Sequence, residues 1–329
     1  MLTLVLTALN RQELLPRTLE SIGAQSLRPL RVVAVDNGST DATPQILRDW
    51  ATDMATKGID VTVLTENNPG ASAARNAGMH AVTTPFVAFF DSDDEMRPGH
   101  LQRIVDFFSA HPDSELMAFD AVEMDPDGWT TLKSVADDNA MRGHILPGSL
   151  ATQRWAASTA LLRRLGGWDE SLPSWNDLEL GVRLLVNASK PVFVHGDPGV
   201  VIHPSDDSIS APGYAARAPQ LLKAIETMEL TLTTAGRTDD LHYTDAKRMI
   251  LSGLIRREAA SLPRERRQKI IRFAERIEAP ALDRNETLPI SASRKGRRRL
   301  VLIVMRTVVR IFGRGGAAIA SLLAPAPRS

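Results

Sequence analysis

Over its first 110 residues the chain alternates between short apolar runs and longer amphipathic ones. Leu2–Leu6, Leu30–Val35, Val61–Leu64 and Pro85–Phe90 read as strands, the last apolar throughout, as a strand buried on both faces must be. Between and after them, Arg11–Ala24, Thr43–Lys57, Ala71–Ala81 and Pro98–Ala110 carry helical spacing. Asn10 is a candidate N-cap for the first helix, and Ser39, Thr40 or Asp41 for the second. The third helix is rich in alanine and can lie close to a sheet. Such alternation predicts a mostly parallel sheet with helices on both faces. Ligands of these sheets bind beyond the carboxyl ends of the strands, where Asp36, Glu66 and Asp91 fall.

The rest of the chain is read less evenly. Leu116–Met124 reads as one strand followed by a turn at Asp125–Gly128. Residues 130–150 are polar and give no clear pattern. Asp177–Ala188 reads as a helix, Val192–Val194 and Val200–Ile202 as short strands, and everything after about residue 213 as helical. A length of 329 residues suits one large α/β domain with a smaller appendage. There is no cysteine, so disulfides and thiolate metal sites are excluded and any metal must be held by carboxylate, imidazole or carbonyl groups. No secretory signal is legible in the first apolar stretch, which continues as a strand. The expected location is the cytoplasm, with peripheral contact at the inner face of a membrane as an extension of that reading.

The most chemically loaded segment is Phe89-Phe90-Asp91-Ser92-Asp93-Asp94-Glu95. An apolar strand runs into four acids with no base among them. In an extended segment Asp91 and Asp93 face the same side. Carboxylates this close repel, so some must protonate or find a cation. A hard divalent ion, Mn²⁺ or Mg²⁺, suits them and would bridge the protein to a diphosphate. A solvated acidic turn ahead of the next helix is the alternative.

Several segments in order resemble family 2 glycosyltransferases of the GT-A fold. Val35-Asp36-Asn37-Gly38-Ser39-Thr40-Asp41 is similar to their first nucleotide-binding signature, and Asn68-Pro69-Gly70-Ala71-Ser72-Ala73-Ala74-Arg75-Asn76-Ala77-Gly78 to their second. Asp91-Ser92-Asp93-Asp94 resembles their D-x-D motif. Gly166-Gly167-Trp168-Asp169-Glu170-Ser171-Leu172, with Trp175-Asn176-Asp177-Leu178-Glu179-Leu180, resembles their acceptor-side segment, and Thr7 to Arg11 fits the opening strand and loop. The likeness covers roughly residues 1–210. It implies a Rossmann-like, mostly parallel sheet over residues 1–212, split into a nucleotide half (1–115) and an acceptor half (116–212). A helical extension (213–290) and a basic amphipathic tail (291–329) would follow.

The resemblance also implies roles. Asp36 would bond the nucleotide base, Asp91 the ribose, and Arg75 would lie near the nucleotide and the acids. Thr7, Asn10, Arg11, Ser39, Asn68 and Ser92 would belong to the same nucleotide-sugar site. Asp93 and His203 would ligate the metal, Trp175 and Asn176 would face the acceptor, and Asp177 would be the general base. The implied donor is a nucleotide-diphospho-sugar, with a UDP-sugar favoured. The implied acceptor is a glycan or lipid-linked glycan of bacterial surface polysaccharide synthesis, and the implied outcome is inversion. Structural readings stand beside these: Asp36 as a turn residue, Arg75 as a surface ion pair, His203 as a satisfied strand histidine, Trp175 as core. Asp177 and Glu179 also suit the first turn of a helix, where acids complement the dipole. Asn176 departs from the family, which usually places an acid immediately before the catalytic Asp.

Lys+Arg and Asp+Glu both number 39, yet Arg294–Ser329 holds nine bases and no acid. On a helix Arg299, Arg306, Arg310 and Arg314 form one stripe beside Leu, Val, Ile and Phe. Peripheral contact with an anionic membrane through 294–314 and packing on the domain are both consistent with this. No apolar run spans a bilayer. A nucleotidyltransferase would need a glycine-rich phosphate loop that Thr7–Arg11 lacks. A dehydrogenase would need G-x-G-x-x-G, which is absent. A degenerate sugar-nucleotide-binding protein is favoured by Asn176 alone. No basic-aromatic surface pattern points to nucleic acid.

Overall fold

The structure is a computed structural model and describes residues 1–135, 138–203, 213–287 and 292–322. The chain divides into two compact units, Met1–Ala140 with Ser149–Ser208, and Met141–Gly148 with Ile209–Ser329.

The first unit opens with the expected alternation: β1 (Leu2–Ala8), α1 (Leu15–Gly23), β2 (Leu30–Asp36), α2 (Thr43–Ala55), β3 (Ile59–Thr65), α3 (Ala71–Ala81) and β4 (Phe86–Asp91). The two-residue β5 (Glu95–Met96) and α4 (His100–Ala110) follow, then β6 (Leu116–Phe119), β7 (Ala121–Met124) and β8 (Thr130–Lys133). After α5 (Ala140–Ile145) come β9 (Trp155–Ser158), α6 (Thr159–Leu165), α7 (Asn176–Asn187), β10 (Val192–Val194) and β11 (Val200–Ile202). The main sheet has seven strands in the order β10-β6-β9-β4-β1-β2-β3. All its pairings are parallel except those of β9, which runs against β4 and β6. A smaller sheet has the order β5-β11-β7-β8.

Alternation along the strands makes two apolar layers. Leu4 and Leu6 point to the face covered by α1, α2 and α4, where Leu19, Ile22, Leu47, Trp50, Leu101 and Ile104 are buried. Val5 and Phe89 point to the other face, against Ala74, Met79, Leu161, Leu162, Trp168 and Leu180 of α3, α6, α7 and their loops. Each fully buried Leu, Ile or Phe contributes about 1.5–3 kcal/mol. This double cover makes the edge at the strand carboxyl ends the natural place for chemistry.

Two expectations change. The first helix starts at Leu15, not Arg11. Asn10 is not its cap; it adopts φ +50° and turns towards the β2–α2 loop. There its Oδ1 accepts from Thr40 N–H at 2.8 Å and its own N–H donates to Ser39 Oγ at 2.8 Å. Arg11 N–H donates to Thr43 Oγ1 at 2.8 Å and Gln12 N–H to an Asp41 carboxylate oxygen at 3.1 Å. Residues 10–12 thus direct their backbone N–H groups to the β2–α2 segment, while the Arg11 carbonyl accepts from Leu14 and Leu15 N–H. The single strand read over 116–124 is two strands in different sheets, broken at Asp120. That buried carboxylate accepts from Val135 N–H at 2.8 Å and Gly196 N–H at 3.3 Å, so the chain bends to supply it with donors.

The second unit holds α8 (Tyr214–Thr234), α9 (Leu241–Ala259), α10 (Arg264–Thr287) and α11 (Ala292–Leu322), besides the segment 141–148. Helix α9 is buried nearly all round, and α8, α10 and α11 pack against it. Glu258 of α9 accepts from the N–H groups of Gly213, Tyr214 and Ala215 at 2.8–3.0 Å, so it closes the open N-terminus of α8 from a neighbouring helix. The described part of α11 puts Leu302, Met305 and Val309 into this packing. The packed-tail alternative therefore holds for one face of the helix. Arg306, at the inner edge of the basic stripe, pairs with Glu278 at 2.6 Å.

Candidate active site

Parallel register brings the expected residues to one edge of the first unit. Thr7 of β1 stands opposite Val35 and Asp91, and Asp36 closes β2 beside Ala8 and Thr65. Asp36 is buried, and both carboxylate oxygens accept from Ser39 N–H at 3.2–3.3 Å. Its neighbour Asn37 ties this loop to the next. Asn37 Nδ2 donates to the carbonyls of Glu66 and Asn68 at 2.9 and 2.7 Å, and its Oδ1 accepts from Gly70 N–H at 2.9 Å. Asn68 itself is exposed, with its N–H on Glu66 Oε1 at 2.7 Å. Asn10, Asp36, Ser39 and Asn68 thus belong to one laced set of loops. Asn37 is its clamp, a residue the sequence reading passed over although it stands inside the quoted motif.

The acidic motif is not extended. After Asp91 the chain turns at Ser92 and Asp93 before β5. Asp91 pairs with Arg75 at 2.9 Å. Asp93 lies 3.9 Å from Arg11, and its carbonyl accepts from Arg17. Ser92 is buried in the turn. Asp94, 2% exposed, accepts from His203 N–H at 2.9 Å and from the Gln153 amide. Burial, then the nearby Asp91, pushes the Asp94 carboxyl well above its ordinary value. His203 directs Nε2 to Glu95 at 3.3 Å. Among the described residues, therefore, each acid of the run has a protein partner, which removes the reason for expecting a metal from charge repulsion alone. No group of three or more His, Asp or Glu side chains among the described residues is arranged to hold a metal. The chemistry of the donor set still fits one. Magnesium-like ions take one or two carboxylates and complete their shell with substrate phosphate and water. Asp93 is the partly exposed carboxylate of the run beside Arg11, and an ion there would be reached from solvent.

The third cluster is carried by α3 and α7. Asn76 binds the 168–170 segment: its Nδ2 donates to Trp168 O at 2.9 Å and Glu170 Oε1 at 2.8 Å, and its Oδ1 accepts from Trp168 N–H at 2.8 Å. Gly167, at φ +72°, is required here, because a Cβ would meet Asn76 Oδ1 at 2.4 Å. Trp168 packs edge-on against Phe89, and the Arg75 guanidinium lies 5.8 Å from its ring. Arg75 is buried between Asp91 and Asn176, whose Oδ1 accepts from Nη1 at 3.4 Å, while Arg75 Nε is buried without a hydrogen-bond partner. Asn176 also donates to Leu172 O at 3.3 Å, a bond no carboxylate could make. Trp175 enters α7 in the left-handed region, φ +57°, a conformation held at a cost of about 1–3 kcal/mol. It presents Asp177 in the first turn. Burial pushes the Asp177 carboxyl up and Asp91 adds to this; Arg75 and the Leu178 N–H oppose it.

Residues 3–161 match the family described as glycosyl transferase family 2. The chain carries a family 2 glycosyltransferase domain. The pre-mycofactocin glycosyltransferase of Mycobacterium tuberculosis is 33% identical over 170 residues, covering 49% of this chain and 35% of that one. An uncharacterized glycosyltransferase of Mycobacterium bovis is 42% identical over 103 residues, covering 31% and 41%. The chain spans about a third of the length of the curated relatives it matches. Among solved structures, Staphylococcus aureus TarS 1-349 in complex with UDP-GlcNAc has a TM-score of 0.64 at 18% identity, covering 97% of this chain and 89% of that one. Mannosyltransferase PcManGT from Pyrobaculum calidifontis, in complex with GDP-Man and Mn²⁺, has 0.54 at 19%, covering 98% and 86%. These likenesses show the fold, an α/β GT-A domain with helices after it.

Within the glycosyltransferase domain, three further residues sit among the expected ones. Arg17, on the first turns of α1, reaches the Asp93 carbonyl; Gln153 holds Asp94; Glu95 holds His203. Glu95 stands inside the acidic run and was legible as a charge. The other two come from elements distant in sequence, so spacing carried no signal of them. No helix among the described residues is long and apolar enough to cross a membrane.

Proposed function

We propose that the domain is an inverting glycosyltransferase that moves a sugar from a nucleotide-diphospho-sugar, a UDP-sugar by preference, to the hydroxyl of a glycan or lipid-linked acceptor. The observation that carries this reading is the placement of Arg75. One side chain from the second nucleotide signature touches Asp91 of the acidic motif and Asn176, the neighbour of Asp177. Donor-side and acceptor-side segments therefore meet at one guanidinium.

In this reading Asp36 accepts from the base, Asp91 from the ribose, and the loops tied by Asn10, Ser39 and Asn37 hold that pocket in shape. Asp93 and His203 are the protein's ligands for Mn²⁺ or Mg²⁺, His203 exchanging Glu95 for the ion. When bound, the metal neutralises charge on the departing diphosphate. Asp177 takes the acceptor proton as the hydroxyl oxygen bonds to the anomeric carbon and the bond to the diphosphate breaks on the opposite face. A carboxyl held above its ordinary range by burial is a stronger base than an exposed one, which suits a hydroxyl proton. Trp175 and Asn176 flank it on the acceptor side. The amide at 176 keeps the Arg75 contact without adding a negative charge beside the base.

Calorimetry with UDP and with GDP, each with and without Mn²⁺, tests donor and metal together. Wild type should bind UDP more tightly with Mn²⁺ than without, and Asp93→Ala should lose the difference while melting at the same temperature. Metal-supported affinity that survives in Asp93→Ala would reject the ligand assignment. Tighter GDP binding would replace the donor class.

A further inference from the structure

Helix α11 has two apolar faces, and its packing on α9 uses one of them. Leu302, Met305 and Val309 are buried, and Gly253 of α9 admits the helix so closely that a Cβ there would lie 2.7 Å from Arg306 O. Leu300, Val304 and Ile311 are 60%, 39% and 55% exposed. At about 100° per residue the exposed three fall within about 40° of one another and lie roughly opposite the buried three. A helix on the outside of a soluble bundle puts polar residues on that side. Arg299, Arg306 and Arg310 lie within about 40° along one flank, between the two apolar stripes. Arg306, the one turned furthest inward, pairs with Glu278, and Arg299 and Arg310 are solvent-exposed. The segment from Arg294 to Ser329 carries nine basic residues and no acid.

We propose that the outward face of α11, formed by Leu300, Val304 and Ile311 with Arg299 and Arg310 beside them, docks on an anionic lipid surface. The apolar stripe enters the headgroup boundary and the arginines meet lipid phosphates. Charge decides between this occupant and a second copy of the chain. A self-docked pair would bring two copies of an acid-free basic segment together, whereas a phosphate surface offers that segment the opposite charge. The inference does not depend on donor chemistry, so its failure leaves the glycosyltransferase reading intact.

The test uses the full chain and vesicles of phosphatidylcholine with or without phosphatidylglycerol. Wild type should sediment with the anionic vesicles, stay in solution with the neutral ones, and be released as salt rises, because screening shortens the reach of the charges. Arg299→Gln with Arg310→Gln should weaken binding about fivefold per arginine, or about 25-fold together. Leu300→Gln with Val304→Gln and Ile311→Gln should abolish it at an unchanged melting temperature, since these side chains lie outside the packed face. Equal binding to neutral vesicles, unchanged binding by the arginine variant, or no sedimentation by wild type each overturns the proposal. So does a concentration-dependent dimer that the apolar variant dissolves, which would make a second copy the occupant.

Discussion

The two units handle charge in opposite ways. In the first, the core between sheet and helices is apolar, and the acids collect at the carboxyl edge of the strands, where each is held by one or two contacts. In the second, charges run through the interior of a helical bundle and saturate one another. Arg248 of α9 pairs with both carboxylate oxygens of Glu229 at 2.7 and 2.8 Å, and Arg284 of α10 binds Glu229 and Asp245. Glu278 is shared by Ser252, Arg256 and Arg306. The difference lies in unused capacity. Arg75 Nε is buried with no hydrogen-bond partner between Asp91 and Asn176, so the first unit keeps an unused donor at its strand edge, while the Glu229 and Glu278 clusters of the second unit are committed to the fold.

That contrast is broken most sharply at Asp177. Asp177→Asn keeps the size of the side chain but accepts no proton, so turnover should fall about 10²–10⁴-fold. Donor affinity and melting temperature should hardly move. Single-turnover assays beside calorimetry check this; a loss within about threefold would make another group the base, and loss of all donor binding would make Asp177 a structural residue. The same experiment separates an active transferase from a degenerate sugar-nucleotide-binding protein. Arg248→Met is the counterpart in the second unit. It leaves the buried Glu229 with Arg284 alone, which should cost about 3 kcal/mol of stability. Chemical denaturation reads that loss, and donor affinity of the folded protein should stay within about threefold. If affinity falls in step with stability, the division of roles is wrong.

How much of this was legible in the sequence follows from the physics of each element. The parallel strands and their helices were read from periodicity because local pattern and tertiary burial agree there, as in α3, found over the expected residues Ala71–Ala81. Several of the proposed site residues stood out as motifs because they lie where the backbone fixes them: Asp36 and Asp91 close β2 and β4, and Asp177 lies in the first turn of α7. What escaped depends on distant partners. The start of α1 moved because Asn10, Arg11 and Gln12 bond to the β2–α2 loop about thirty residues away. The break at Asp120 depends on amides at 135 and 196. The acidic run looked unpaired because Arg11 and Arg17, Arg75, Gln153 and His203 come from four separate segments. The pairing of Glu229 with Arg248 and Arg284 was equally invisible, for spacing on separate helices says nothing about which faces meet.

The finest test of the contrast is a pH dependence inside the bundle. Burial pushes the Asp245 carboxyl from 3.8 up to about 6, against the pull of Arg284. In the unfolded chain it titrates near its ordinary value. Between about pH 4 and 6 the folded state therefore binds a proton that the unfolded state lacks, and stability falls as pH rises through that window, then levels off above it. Glu229 works the other way, since Arg248 and Arg284 hold it below its ordinary value and its contribution is lost as pH falls. That loss falls below the ordinary Glu229 value of 4.5, so it lies mostly beneath the window in which Asp245 acts. Asp245→Asn removes the first contribution only. Its stability should match wild type near pH 4, where Asp245 is already neutral, and equal or exceed it at pH 7, where the variant avoids a buried charge. Melting curves at the two pH values decide it. A variant less stable at pH 7 than at pH 4, relative to wild type, would show that the pair with Arg284 outweighs burial, and that charges in the bundle hold the fold more strongly than their burial opposes it.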